Sequence, residues 1–119
     1  MFELELIATK GFNKAAKKYL STEEVEELAF FLSENPEHGK MIINTGGIRK
    51  LRWKSKRLSK GKRGGLRVIY SFHLNKLIIL LDLYSKSNKK DLSNDDKEKV
   101  LKLLGILLEQ WEKSNDKTR

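Results

Sequence analysis

The chain has 119 residues, no cysteine, two histidines and a formal charge of +9. That length suits one domain, whose core can bury roughly two-thirds of the unfolded surface without covalent staples. The absence of cysteine excludes disulfides and thiolate metal sites, and His38 and His73 stand far apart with no ligand cluster beside them, so neither a metal nor a cofactor is expected.

Residues 2–7 alternate Phe2, Leu4 and Leu6 with Glu3 and Glu5 before Ile7, the period-two pattern of a strand with one buried face. The same acids stand where a secretory signal would carry positive charge, and the longest apolar run, Leu77 to Leu81, is far too short for a bilayer. A cytoplasmic protein without membrane contact is expected. Thr9 is placed to cap a helix whose Phe12, Ala15, Ala16 and Tyr19 fall on one stripe. Ser21 opens a second helix through a capping box with Glu24, and Asn35-Pro36 ends it.

Beyond that helix the composition changes. Twelve of the 25 Lys and Arg residues, and none of the 16 acids, lie between residues 38 and 81, which leaves thirteen basic against sixteen acidic residues elsewhere. Charge kept for solubility would be scattered, whereas a site for a polyanion concentrates it. Thr45-Gly46-Gly47 reads as a turn and 48–54 as a strand, with Arg49, Leu51 and Trp53 on one face and Lys50, Arg52 and Lys54 on the other with Ile48. Residues 56–65 read as a basic, glycine-rich loop, 66–73 as a strand, Asn75-Lys76 as a turn, and 76–86 as a strand apolar on both faces and interior to its sheet. Ser93 and Asp96 open a last helix with Val100, Leu103, Leu104, Leu107 and Trp111 as its apolar face. The order β-α-α-β-β-β-α predicts an α+β fold, a small and mostly antiparallel sheet with packed helices. Residues 1–113 form the single domain and 114–119 a polar tail.

Several chemistries lack their residues. There is no phosphate-binding Gly-x-x-x-x-Gly-Lys-Ser/Thr loop, no nucleophilic triad, and no acidic pair in the basic segment to hold magnesium. Cations remain. Lys50 and Arg52, two residues apart on a strand, share a face at about 7 Å. Arg67 near the start of the next strand and Lys86 at the end of the last are positioned to join them if the register allows. Arg67 is expected as an exposed strand-face cation whose removal leaves the fold intact. Arg49, Lys54, Lys56, Arg57, Lys60, Lys62 and Arg63 are candidate RNA-binding groups, with Tyr84 offering a ring for stacking, whereas Tyr70, on one face with Val68 and Phe72, suits core packing as well as stacking. His38 reads as structural, His73 as a surface residue and Trp53 as core.

Three segments carry a resemblance. Thr45-Gly46-Gly47-Ile48-Arg49-Lys50-Leu51-Arg52-Trp53, with Gly61-Lys62-Arg63-Gly64-Gly65-Leu66-Arg67-Val68-Ile69-Tyr70, resembles the RelE/ParE toxin superfamily and is most similar to its HigB-type branch. Leu83-Tyr84-Ser85-Lys86, leading to Asp91-Leu92, resembles the family's Tyr-x-Lys ending, and Asn35-Pro36-Glu37-His38-Gly39 its Asn-Pro-x-x-Gly turn. The resemblance implies a RelE-like microbial RNase fold, metal-independent cleavage of mRNA in the ribosomal decoding site, and a cognate antitoxin as partner. It places the family's catalytic cations at Lys50, Arg52, Arg67 and Lys86, with Lys50 as the candidate general base. Arg52 and Arg67 would stabilise the phosphate, and Lys86 would bind it or protonate the leaving group. Some members carry a stacking tyrosine near the C-terminus, where this chain has Leu92. Two other readings stand beside this one: a non-catalytic ParE-like inhibitor of DNA gyrase, and a basic RNA-binding module.

Overall fold

The computed structural model describes residues 4–54, 65–86 and 92–117. Their elements run β1 (Glu5–Ala8), α1 (Lys10–Tyr19), α2 (Thr22–Glu34), β2 (Lys40–Met41), β3 (Ile48–Trp53), β4 (Leu66–His73), β5 (Leu77–Ser85) and α3 (Asn94–Lys117). The α+β class and helix positions agree with the sequence pattern. One element is additional: β2, whose two residues are too few to show any periodicity. In addition, α3 continues to Lys117, into the segment read as a tail.

Local signals set the helix ends. The Thr9 side chain accepts from the Phe12 amide at 3.0 Å, a cap that typically contributes about 1 kcal/mol. Ser21 and Glu24 form the reciprocal capping box of α2, and Ser93 and Asp96 do the same for α3. Pro36 follows the C-cap Asn35 of α2 and stops it.

The strands form one sheet in the order β1-β5-β4-β3-β2, with β1 parallel to β5 and every other pair antiparallel. Thus β5 is interior, as its apolar run predicts, although β4 occupies the middle. Both faces are covered. Leu51, Val68, Tyr70, Ile78, Leu80 and Leu83 pack with Phe12 and Ala16 of α1 and Leu28 and Leu32 of α2. Ile48, Ile69, Leu77, Ile79 and Leu81 pack with Leu104 and Trp111 of α3. The α3 stripe differs from its sequence reading: Leu103 is exposed, and Leu108 takes its place against the sheet with Val100 and Leu107. At the far end of α3, the Trp111 Nε1 donates to the Glu5 carboxylate at 3.0 Å.

Register along β4 and β5 shifts once. Ile69 faces Asp82 but Tyr70 faces Leu80, which leaves Leu81 as the extra residue of a β-bulge. The Thr9 hydroxyl donates to the Leu81 carbonyl at 2.9 Å, and the Leu83 amide donates to the Asp82 carboxylate at 2.8 Å, so polar groups at the bulge are satisfied locally. The extra residue inverts side-chain parity beyond it. Leu77, Ile79 and Leu81 face α3 before the bulge, and Tyr84 faces it afterwards.

His73 is half-buried rather than a surface residue, and its Nε2 has no hydrogen-bond partner among the described residues. Burial holds its pKa below the ordinary imidazole value. In the window beneath about 6.5 the unfolded chain therefore takes up this proton before the folded one does, and stability falls as pH falls. Thermal melts between pH 7 and 5 should show a shallower loss for His73→Gln than for the parent. Equal slopes would contradict the assignment.

Candidate functional site

The three central strands bring the basic residues into register. Arg52 of β3 lies directly opposite Arg67 of β4, which in turn faces Tyr84 of β5. Lys50 is paired with Lys40 of β2 on one side and Ile69 of β4 on the other. Like charges directly opposed across strands cost roughly 0.2–1 kcal/mol, so two such pairs side by side are not an arrangement that stability favours. A local violation of this kind is what a functional site looks like.

These residues line a cleft of about 410 Å³. Lys50, Arg52, Arg67 and Lys86 all contribute, from β3, β4 and the end of β5. Lys40, His38, Gly39 and Leu51 complete its lining. The bulge at Leu81 brings Lys86 here: without the extra residue Arg67 would face Leu83, and Lys86 would project towards α1 and α2. The Lys86 amide also donates to the Gly65 carbonyl at 3.0 Å. Gly65 is held at φ +56°, and a Cβ there would come within 3.0 Å of the Trp53 carbonyl oxygen, so glycine is required where β4 begins beside Lys86.

Exposure separates the two arginines. Arg52 is exposed, but Arg67 is only 4% exposed, so the expectation of a freely accessible strand-face cation is corrected for Arg67. Periodicity within β4 does not reveal that burial.

Arg49 projects to the opposite face of β3. Its guanidinium donates to the carbonyls of Glu37 at 3.0 Å and Gly39 at 2.7 Å and lies 3.6 Å from the Glu37 carboxylate. It holds the turn after α2 instead of lining the cleft. Tyr70 is fully buried on the same face, and its hydroxyl donates to the Pro36 carbonyl at 2.8 Å while accepting from the Gly39 amide at 2.9 Å. Burial raises its pKa, against the opposing pull of the Gly39 amide and Arg49. Tyr70 is therefore a core residue that pins a turn and offers no face to a base. Tyr84 and Leu92 are likewise buried together in the α3-side core, so the stacking role expected of Tyr84 meets a ring covered by protein. Lys54 is exposed beyond the cleft lining. Lys56, Arg57, Lys60, Lys62 and Arg63 lie outside the described residues.

Two cleft residues were not singled out in the sequence, Lys40 and His38. His38 sits in a helix-ending turn and reads as structural in the sequence, but it is among the residues that line the basic cleft. The available signal was its position at the first residue of the acid-free segment. Among the described residues no group of three His, Cys, Asp or Glu side chains is arranged to hold a metal, and no helix is long and apolar enough to cross a membrane.

No family model matches the chain. Among solved structures, it is similar to a free-state arginine double mutant of the Escherichia coli toxin RelE, with a TM-score of 0.53 and 17% identity over 76% of this chain and 90% of that one. At that identity the likeness shows a shared fold. The α+β architecture is RelE-like.

Proposed function

We propose that this RelE-like chain is the toxin of a type II toxin–antitoxin pair, HigB-like in its motifs, that cuts mRNA in the ribosomal decoding site. The observation that carries this reading is the convergence of Lys40, Lys50, Arg52, Arg67 and Lys86 from four strands or strand ends on one open cleft. Scission by 2′-hydroxyl attack passes through a pentavalent phosphorus whose oxygens gather negative charge. Fixed cations around that position stabilise the transition state more than the ground state. Lys50, Arg52, Arg67 and Lys86 act as this catalytic set, and their own charge serves the role that a metal ion fills in other nucleases. The cleft volume lies in the range of roughly 300–1,000 Å³ usual for small-ligand sites, so it suits the scissile phosphate and its flanking sugars more than a duplex. Arg52 and Arg67 clamp the phosphate, and Lys86 lies where a leaving 5′-oxygen would take a proton. A cognate antitoxin neutralises the chain in this reading, and the ribosome delivers the substrate.

A translation reaction with end-labelled mRNA tests it. The chain should cut mRNA within codons when ribosomes are present and leave naked mRNA intact. Unbroken mRNA together with inhibited DNA gyrase would replace this reading with the gyrase inhibitor. Binding of RNA with neither effect would reduce the chain to a basic RNA-binding module.

A further inference from the structure

The cleft is rich in groups of one kind and short of another. Attack by a 2′-hydroxyl requires a proton acceptor at the 2′-oxygen and a proton donor at the departing 5′-oxygen. Ammonium and guanidinium side chains are, as chemical types, charge stabilisers and proton donors at neutral pH. The cleft has five such groups. Among the described residues lining it there is no carboxylate, tyrosine or cysteine, and His38 is the one side chain of a type that accepts a proton readily near neutrality.

Resting on the cleavage reading above, we propose that His38 is the general base of the reaction. Its neutral imidazole removes the proton from the 2′-hydroxyl as the O2′–P bond forms. The P–O5′ bond breaks, and the 5′-oxygen takes a proton from a cleft ammonium, that of Lys86. The products are a 2′,3′-cyclic phosphate and a 5′-hydroxyl, and both side chains recover their starting protonation by exchange with water. Lys50, the candidate base of the sequence reading, then joins Arg52 and Arg67 in holding the phosphate.

The placement of His38 is over-determined in the way a catalytic group requires. Its backbone amide donates to the Asn35 carbonyl at 3.1 Å. The residues on either side are tied down, Glu37 and Gly39 by Arg49, and Gly39 again by the buried Tyr70 hydroxyl. Phe31 of α2 packs edge-on against the imidazole, with ring centroids 5.2 Å apart and an interplanar angle of 84°. These contacts together fix the turn, while the side chain itself remains exposed and its ring nitrogens make no hydrogen bond to another described residue. The charged groups around it are Lys40, Lys50, Arg52, Arg67 and Lys86 across the cleft, and on its own turn Glu37, whose carboxylate is directed to Arg49.

The test is single-turnover cleavage of end-labelled mRNA on programmed ribosomes from pH 5 to 9, with the full chain, His38→Ala and His38→Gln. Both variants should melt near the parent, because the side chain is exposed. Both should cut on the order of 10²–10⁴-fold more slowly, the range for a lost general base. The parent rate should fall on the acid side, and the variants should lack that limb. Added imidazole should restore part of the His38→Ala rate. A His38→Gln enzyme within about threefold of the parent overturns the assignment, as does a slow variant that keeps the parental pH dependence and ignores imidazole. A parent that leaves mRNA whole overturns the cleavage reading as well, whereas a parent that cuts beside an unaffected His38→Gln overturns the base alone.

Discussion

Arg52→Ala is expected to melt within about 2 °C of the parent and to lose about 100-fold or more of its cleavage rate and growth inhibition. Arg52 is exposed at the cleft and sits opposite a second arginine, so removing it relieves a like-charge pair and leaves no cavity. On the proposed mechanism, what disappears is a guanidinium that stabilises the phosphate, and one such donor is typically worth 10²–10³ in rate, or roughly 3–4 kcal/mol of barrier. Arg67→Ala should behave differently although the two residues are register partners. Arg67 is nearly fully buried, so its truncation removes packing around the aliphatic stem and the guanidinium's hydrogen bond to the Leu66 carbonyl. A stability loss of roughly 1–3 kcal/mol should accompany the loss of activity. Circular-dichroism melts beside cleavage assays separate the two. An Arg52→Ala protein that is folded and fully active would remove the cation set from the mechanism.

The second large effect is predicted at Gly39. A Cβ there would lie 2.8 Å from the Tyr70 Cε1, 2.9 Å from the Tyr70 hydroxyl oxygen and 3.1 Å from the Lys50 carbonyl oxygen. None of these neighbours is a flexible side-chain end. The tyrosine ring is fully buried and hydrogen-bonded to both Pro36 and Gly39, and the third contact is backbone of β3. Overpacking of this kind costs roughly 1–3 kcal/mol, and the loss of one strained hydrogen bond adds about 1 kcal/mol. Gly39→Ala should therefore lose roughly 2–4 kcal/mol, a fall of about 10 °C in melting temperature for a domain of this size. Activity should drop with it, because the turn that breaks is the one carrying His38. Gly105→Ala is the contrasting substitution. It lies exposed inside α3 with open space around it, and should stabilise by roughly 0.4–1 kcal/mol through the restricted unfolded chain and better helix propensity. Equal stability of the Gly39→Ala and Gly105→Ala proteins would contradict the packing described for the turn.

The chain's local chemistry was legible in its sequence. The caps at Thr9, Ser21 and Ser93 and the stop at Asn35-Pro36 each work within four residues, so they set the helices wherever the rest of the chain goes. The concentration of positive charge between residues 38 and 81 is likewise a property of composition, and it already pointed to a polyanion. Alternation in β3 placed Lys50 and Arg52 on one face without reference to any partner.

Tertiary structure decided how those pieces meet. Lys86 reaches the arginines only because one residue, Leu81, bulges out of the β4–β5 pairing, and nothing in a run of leucines and isoleucines marks which one will do so. The burial of Tyr84 depends on what packs over the α3 face, and the position of His38 depends on a turn tied to the sheet by Tyr70 and Arg49. Both Tyr70 contacts join residues more than thirty positions apart. Caps and alternation act between neighbours in the chain, whereas register, burial and the closing of a turn onto a sheet are settled by partners distant in sequence, whose identity emerges only when the whole chain has folded.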